Sequence, residues 1–254
     1  MKTLAVAKNT FREARRDRAQ WILVLYAVVL FGSAFILSPL ALGEAYRVTR
    51  DLGVAALSLV GVILIILVGS GMVQKEIDRR TVLTVLAKPI HRHEFLIGKY
   101  LGFMAMVTLV FAGMVVLLIA ALLLTERRLE PAVLVAACFT LGELAVMTAI
   151  VVGFSSFATP ALAGIFTLTV FVIGHFTGDL LRFAETVESE GLAAGAQAVY
   201  LALPHLNAFN LRAEAAYGIL PAPSTVFETA FYALFYSAGV IAVGSAVFSR
   251  REFR

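Results

Sequence analysis

The chain has 254 residues, of which 60% are hydrophobic and only 15% charged, with a formal net charge of +4. Soluble domains carry roughly 25% charged residues, so this composition excludes an ordinary water-facing globule and leaves lipid as the solvent for most of the chain. A bilayer core needs about 20 apolar residues per helical span, and the mean hydropathy of +0.90 accommodates about six spans in one membrane domain over residues 1–254, with no separate soluble domain.

In chain order, residues 1–19 are basic and place Leu4, Ala7 and Phe11 near helical spacing, which suits an interfacial elbow helix lying on anionic lipid or, more simply, a basic flank. Residues 21–42 form the first apolar segment. It is longer than a signal-peptide core and lacks a good cleavage site, so it is expected to stay as a span. Further spans are expected at 52–73, 100–124, 131–153, 160–178 and 227–248. Strands are excluded because an open sheet edge cannot sit in hydrocarbon. The expected fold is therefore all-α: a polytopic membrane protein with six transmembrane helices.

Orientation follows from the basic residues. Fifteen of the 21 Lys and Arg lie at the two ends and in the 74–99 loop; Arg47, Arg50, Arg127, Arg128, Arg182 and Arg212 make up the remainder. The positive-inside rule puts both termini and that loop in the cytoplasm, of an inner (plasma) membrane. The same asymmetry accounts for the net charge, so no nucleic-acid partner is needed.

The outer connection, 179–226, is long. Leu192, Ala196, Val199 and Leu203 recur at helical spacing there, as expected of an amphipathic helix on the membrane surface or over a cavity. Pro204 ends it, Asn210 suits the cap of a second short helix through Ala215, and Gly218 with Pro221 and Pro223 closes the loop.

Chemistry-bearing motifs are few. Gly98-Lys99 is followed by Tyr100, so the Lys-Ser/Thr of a phosphate-binding loop is missing. His93-Glu94 has Ile97 where a second zinc-ligating His would stand, and Gly153-Phe154-Ser155 lacks a closing glycine. No catalytic residue, metal ligand or cofactor is expected in this chain. The methionines read as packing, and the single cysteine, Cys138, as a small core residue. His175 and Asp179 fall near the outer end of the fifth span, where wetting is expected. Gly98 with Gly102, and Gly69 with Gly71, permit close helix approach.

Glu143 is the one acid in the middle of a span. Kept charged at that depth, an acid costs about 2.5 to 3.5 kcal/mol, so it is expected to face protein or water or to be protonated. Two readings stand side by side: a substrate path or gate, and a neutral carboxyl bonded to a neighbouring helix.

The inner loop carries the most information. Val82, Val85, Leu86 and Ile77 give a short helix one apolar face, Glu76 and Arg80 are spaced to pair, and Pro89 stops it. Alone, such a helix either plugs a protein groove or rests on lipid. An acidic residue (Glu76), Thr81, the apolar Leu83 and Leu86, Pro89, the basic Arg92 and Gly98-Lys99 entering the third span together resemble the permease subunits of the type-2 ABC transporter family. The outer Leu203-Pro204-His205-Leu206-Asn207-Ala208-Phe209-Asn210 is similar too. Arg80 stands where that family commonly has glycine, and His91 where Ser or Thr is usual. The permease of the copper-maturation transporter for nitrous oxide reductase is one similar relative.

The resemblance implies that Glu76, Arg79, Arg80, Thr81, Leu83, Leu86, Pro89 and Arg92 form a coupling helix seated on a separate cytosolic ATPase dimer. That partner would hold ATP and Mg. It further implies a second permease copy in a homodimer, export or other work across the membrane, and room for an outer-face or periplasmic partner at 179–226. A membrane-embedded enzyme or a non-transporting scaffold is the alternative: the enzyme needs several convergent polar groups within the spans, and the scaffold leaves the inner plug helix without a purpose.

Overall fold

The computed structural model describes residues 2–16, 19–37, 45–74, 92–125, 130–187 and 189–250. Every regular element among them is helical: α1 (Lys2–Arg16), α2 (Ala19–Leu37), α3 (Ala45–Gly69), α4 (Arg92–Thr125), α5 (Pro131–Ser155), α6 (Pro160–His175), α7 (Thr177–Thr186), α8 (Glu190–Ala202), a 3-10 turn (Leu206–Phe209), α9 (Arg212–Tyr217) and α10 (Pro223–Arg250).

Four of these are long and apolar enough to cross a membrane: Tyr46–Gly69, His93–Leu124, Pro131–Ser155 and Pro223–Ser249. A fifth span is available if α6 and α7, bent by 60° at their junction, count as one. The first expected span corresponds to α2, which is apolar from Trp21 to its end at Leu37; residues 38–42 lie outside the described set. At 1.5 Å per residue, the 19 residues of α2 reach about 28 Å, close to the hydrocarbon thickness of about 30 Å.

The expected fifth span, 160–178, stops earlier than its hydropathy suggests. Helix α6 ends at His175, and Phe176 leaves helical geometry at φ −99° and ψ 10°. Tertiary packing supplies the reason: a Cβ on Gly174 would stand 2.9 Å from Leu206 and 3.0 Å from the Pro204 carbonyl. The outer connection therefore sinks into the bay that this short helix leaves, and Leu206 and Phe209 of the 3-10 turn are fully buried.

Helix α5 is the hub of the bundle, packed against α3, α4, α6 and α10. Glycines set the separations. A Cβ on Gly61 would lie 2.7 Å from Leu144, one on Gly69 2.7 Å from both Phe103 and Val151, and one on Gly244 3.2 Å from the Gly153 Cα. Helix axes approach this closely only where side chains are missing. Met72, Met106, Met114 and Met147 are buried in the resulting core. Cys138 corrects its expected place: it is exposed on α5, one turn beyond the outward-facing Leu134. Since α5 is apolar on every side, periodicity does not reveal which side faces inward.

Helix α1 is not a free surface helix. Among the described residues its packing against α4 is the most extensive of any helix pair, and Gly98 and Gly102 are the seat. Lys99, beside them, is fully buried, with its Nζ 4.0 Å from Glu13 Oε2 of α1 and 5.7 Å from the centre of the Phe95 ring.

Candidate functional site

Three helices bring polar groups to one depth. Ser58 lies thirteen residues into α3 and Glu143 twelve residues into α5, so both sit about 18 to 20 Å from the N-terminal ends of their helices. Because α6 is short, its last residue, His175, meets them there. Ser58 Oγ donates to Glu143 Oε1 at 3.0 Å, and His175 Nε2 stands 3.5 Å from the same oxygen. Glu143 itself is only 2% exposed.

The tautomer of His175 follows from its other nitrogen. Nδ1 lies 2.9 Å from the Phe171 carbonyl oxygen, which only accepts, so Nδ1 carries a hydrogen and Nε2 is turned to Glu143. With no proton on the line between Nε2 and Oε1, two lone pairs would oppose each other. One shared proton satisfies both partners and leaves the pair net neutral, which suits an ionisable residue at membrane depth.

This triad lines a cavity of about 320 Å³ whose wall also includes Thr140, Phe171, Phe176 and Phe209. At its outer mouth stands Arg212 of α9, which holds Asp51 of α3 through Nε at 3.2 Å and Nη2 at 3.3 Å. The fork-to-carboxylate geometry neutralises both charges and ties the outer cap to α3. Asn210 Oδ1 accepts from the Arg212 backbone N–H at 3.4 Å. The short helix that Asn210 was expected to open runs to Tyr217, where Gly218 at φ 71° turns the chain; only glycine adopts that conformation without cost.

A second outer fastening holds the cap against α10. The His205 backbone N–H donates to Tyr232 Oη at 2.9 Å, and its imidazole lies 4.3 Å from the Tyr200 ring and 6.1 Å from the Tyr232 ring. Its Nδ1 is buried with no hydrogen-bond partner among the described residues. Burial pushes the imidazole below its ordinary pKa of 6.5, because the charged form loses its water. A His lowered in the fold is neutral there while the released ring still takes up a proton. The stability of this seat is therefore present above pH 6.5 and lost as pH falls below it. Hydrogen exchange of the Leu206–Phe209 amides, corrected for intrinsic rate, is expected to be faster at pH 5.5 than at pH 7. In His205→Phe that pH dependence is expected to vanish, and its persistence would remove the imidazole as the cause.

Glu143 is thus where the sequence suggested, inside the protein and bonded. His175 is the last residue of α6 and is 26% exposed on the cavity wall, in keeping with the wetting expected at that end of the span, and it also meets Glu143. Ser58 and the Asp51–Arg212 pair carried no sequence signal beyond being polar at the right depth. The coupling residues Glu76, Arg79, Arg80, Thr81, Leu83, Leu86 and Pro89 lie outside the described residues, and Arg92 opens α4. Asp179 falls in the first turn of α7. Leu192 and Val199 of the amphipathic outer helix are exposed on α8.

Comparison with curated proteins gives no match. The family model for ABC-2 family transporter protein matches residues 4–253, nearly the whole chain, spanning the bundle, the polar cavity and the outer cap together; the chain belongs to the ABC-2 family of membrane transporter permeases.

Proposed function

We propose that this chain is the membrane half of an ATP-driven exporter, six-spanning with both termini in the cytoplasm of the inner membrane, and that it works as a homodimer on a cytosolic ATPase dimer that binds ATP and Mg. The observation that carries the reading is the family match over residues 4–253. Further support comes from the 74–99 loop, where Glu76, Arg79, Arg80, Thr81, Leu83, Leu86, Pro89 and Arg92 supply the acidic, apolar and basic pattern of a coupling helix. ATP binding can move the permease only through a contact that differs between two states, and a helix stopped by Pro89 and tied to α3 and α4 is suited to that task.

The cavity beneath the outer cap, with Glu143 at its floor, is the cargo path or gate in this proposal, and residues 179–226 are the face open to an outer partner. The narrower likeness to the nitrous oxide reductase copper-maturation permease rests on the loop motif alone. Affinity capture of the tagged full-length chain from its native membrane tests the proposal. A soluble ATPase with a phosphate-binding loop is expected to be retained through washing in detergent, in equal amount with the permease. Capture of the chain with no ATP-hydrolysing companion would overturn the reading.

A further inference from the structure

The charges around the Glu143 cavity have a definite sign. Arg212, among the described residues the one basic side chain on its wall whose charge is permanent, is already neutralised by Asp51 in a two-point contact. Glu143 Oε1 and His175 Nε2 stand 3.5 Å apart, a spacing at which one proton keeps the pair neutral at this depth. The deep end of the cavity is therefore neutral only while that proton stays. An anion entering would approach a carboxylate oxygen, whereas a cation can replace the proton. Phe171, Phe176 and Phe209 stand on the same wall, and aromatic faces attract a desolvated ammonium. Ser58 and Thr140 add hydroxyl oxygens, although each already donates its hydrogen elsewhere: Ser58 to Glu143 and Thr140 to the Ala136 carbonyl. Both hydroxyls thus offer lone pairs inward, and a donor-rich guest suits them.

We propose that the cavity between α3, α5, α6 and the outer cap binds a small organic ammonium ion with a compact apolar body, in exchange for the proton held between Glu143 and His175. The proposal rests on the reading of this cavity as the cargo path and adds the chemical class. Charge balances at each stage: the empty site holds one carboxylate, one imidazole and one proton, and the filled site holds the carboxylate, a neutral imidazole and the ammonium, with the proton released to water. At about 30 Å³ for each water, a cavity of about 320 Å³ admits a guest of roughly ten heavy atoms. Among the described residues the titratable and charged groups on its wall are Glu143, His175 and Arg212, the last paired with Asp51, and only the first two change their proton count in this scheme.

The test titrates the full-length chain in lipid nanodiscs with benzylammonium, benzyl alcohol and benzoate at pH 7, subtracting empty discs, by calorimetry in two buffers of different ionisation heat. Benzylammonium is expected to bind at least tenfold more tightly than benzyl alcohol and to release close to one proton. In Glu143→Gln both the preference and the proton release are expected to disappear. Equal affinity for the ammonium and the alcohol, or a preference for benzoate, would overturn the proposal, and so would an unchanged preference in Glu143→Gln. The comparison of ammonium with alcohol on the unaltered chain decides the matter even where the variant does not assemble. Since the titration needs no ATPase, the two readings fail separately. Loss of ammonium binding in a chain that still retains its ATPase overturns the cargo class alone, and ammonium binding in a chain that retains none overturns the exporter reading alone.

Discussion

Leu86→Asp is expected to lower ATP-driven transport by about a hundredfold while leaving the chain in the membrane. On the proposed docking, Leu86 lies with Val82 and Val85 on the apolar face of the inner-loop helix, where it fills a groove of the ATPase. Burying a leucine side chain contributes about 1.5 to 3 kcal/mol, and an aspartate placed in the same groove adds an unpaired buried charge. A combined loss near 3 kcal/mol corresponds to about a hundredfold weaker docking. The span pattern does not involve this loop, so insertion is expected to be unaffected. Thr84→Asp puts the same charge on the opposite side of that helix, about 160° from Leu86 at 100° per residue, and is the control: transport in that variant is expected to stay within about twofold. Transport assayed in vesicles with both permease variants at matched levels reads the difference. Normal turnover in Leu86→Asp would mean that this helix rests on lipid and transmits nothing.

The parts of the fold that depend on a length scale were legible in the sequence. Bilayer thickness sets how many apolar residues a span needs, and four of the expected spans appear as helices long and apolar enough to cross, with the α6–α7 pair as a bent fifth. Turn chemistry was equally readable at Pro204 and Gly218, because a missing N–H and a left-handed backbone are properties of single residues. What the sequence hid was rotation and pairing. Helix α5 is apolar all round, so nothing in it distinguished Cys138, which faces out, from Ala137, which is buried. Ser58 and Glu143 are 85 residues apart and Asp51 and Arg212 are 161 apart; such pairs are decided by the order of helices around the bundle. The contact of His175 with Glu143 was hidden for a related reason. The two residues are 32 positions apart on neighbouring helices, α5 and α6, and nothing in either helix alone announces the pair.

The seat of α1 exposes the same limit and yields the second large effect. Leu4, Ala7 and Phe11 suggested a helix lying on lipid, and Leu4 is 75% exposed, while the face that meets α4 is built from Thr3, Ala7, Thr10 and Ala14 at i, i+4, i+7 and i+11. Small residues were needed on both sides. A Cβ on Gly98 would stand 2.9 Å from the Thr3 carbonyl oxygen, and one on Gly102 would overlap the Ala7 carbonyl oxygen and come within 2.8 Å of Thr10 Cβ. A carbonyl fixed in a helix cannot rotate aside, so Gly102→Val must lift α1 as a unit. Overpacking of this kind costs typically 1 to 3 kcal/mol, and about 2 kcal/mol is roughly thirtyfold in the ratio of lifted to seated helix. Ala14, 2% exposed under α1, is the reporter: with Cys138→Ser removing the native thiol, Ala14→Cys is expected to react with a maleimide at least tenfold faster when Gly102→Val is present. Gly178→Val is the control, since a Cβ there meets nothing within 4 Å. Lifting α1 also separates Glu13 from the buried Lys99. Adding Gly102→Lys in place of Val is therefore expected to worsen the exposure, through a second cation at the same seam. If the thiol stays protected in Gly102→Val, the glycine pair is not what holds the elbow helix to the bundle.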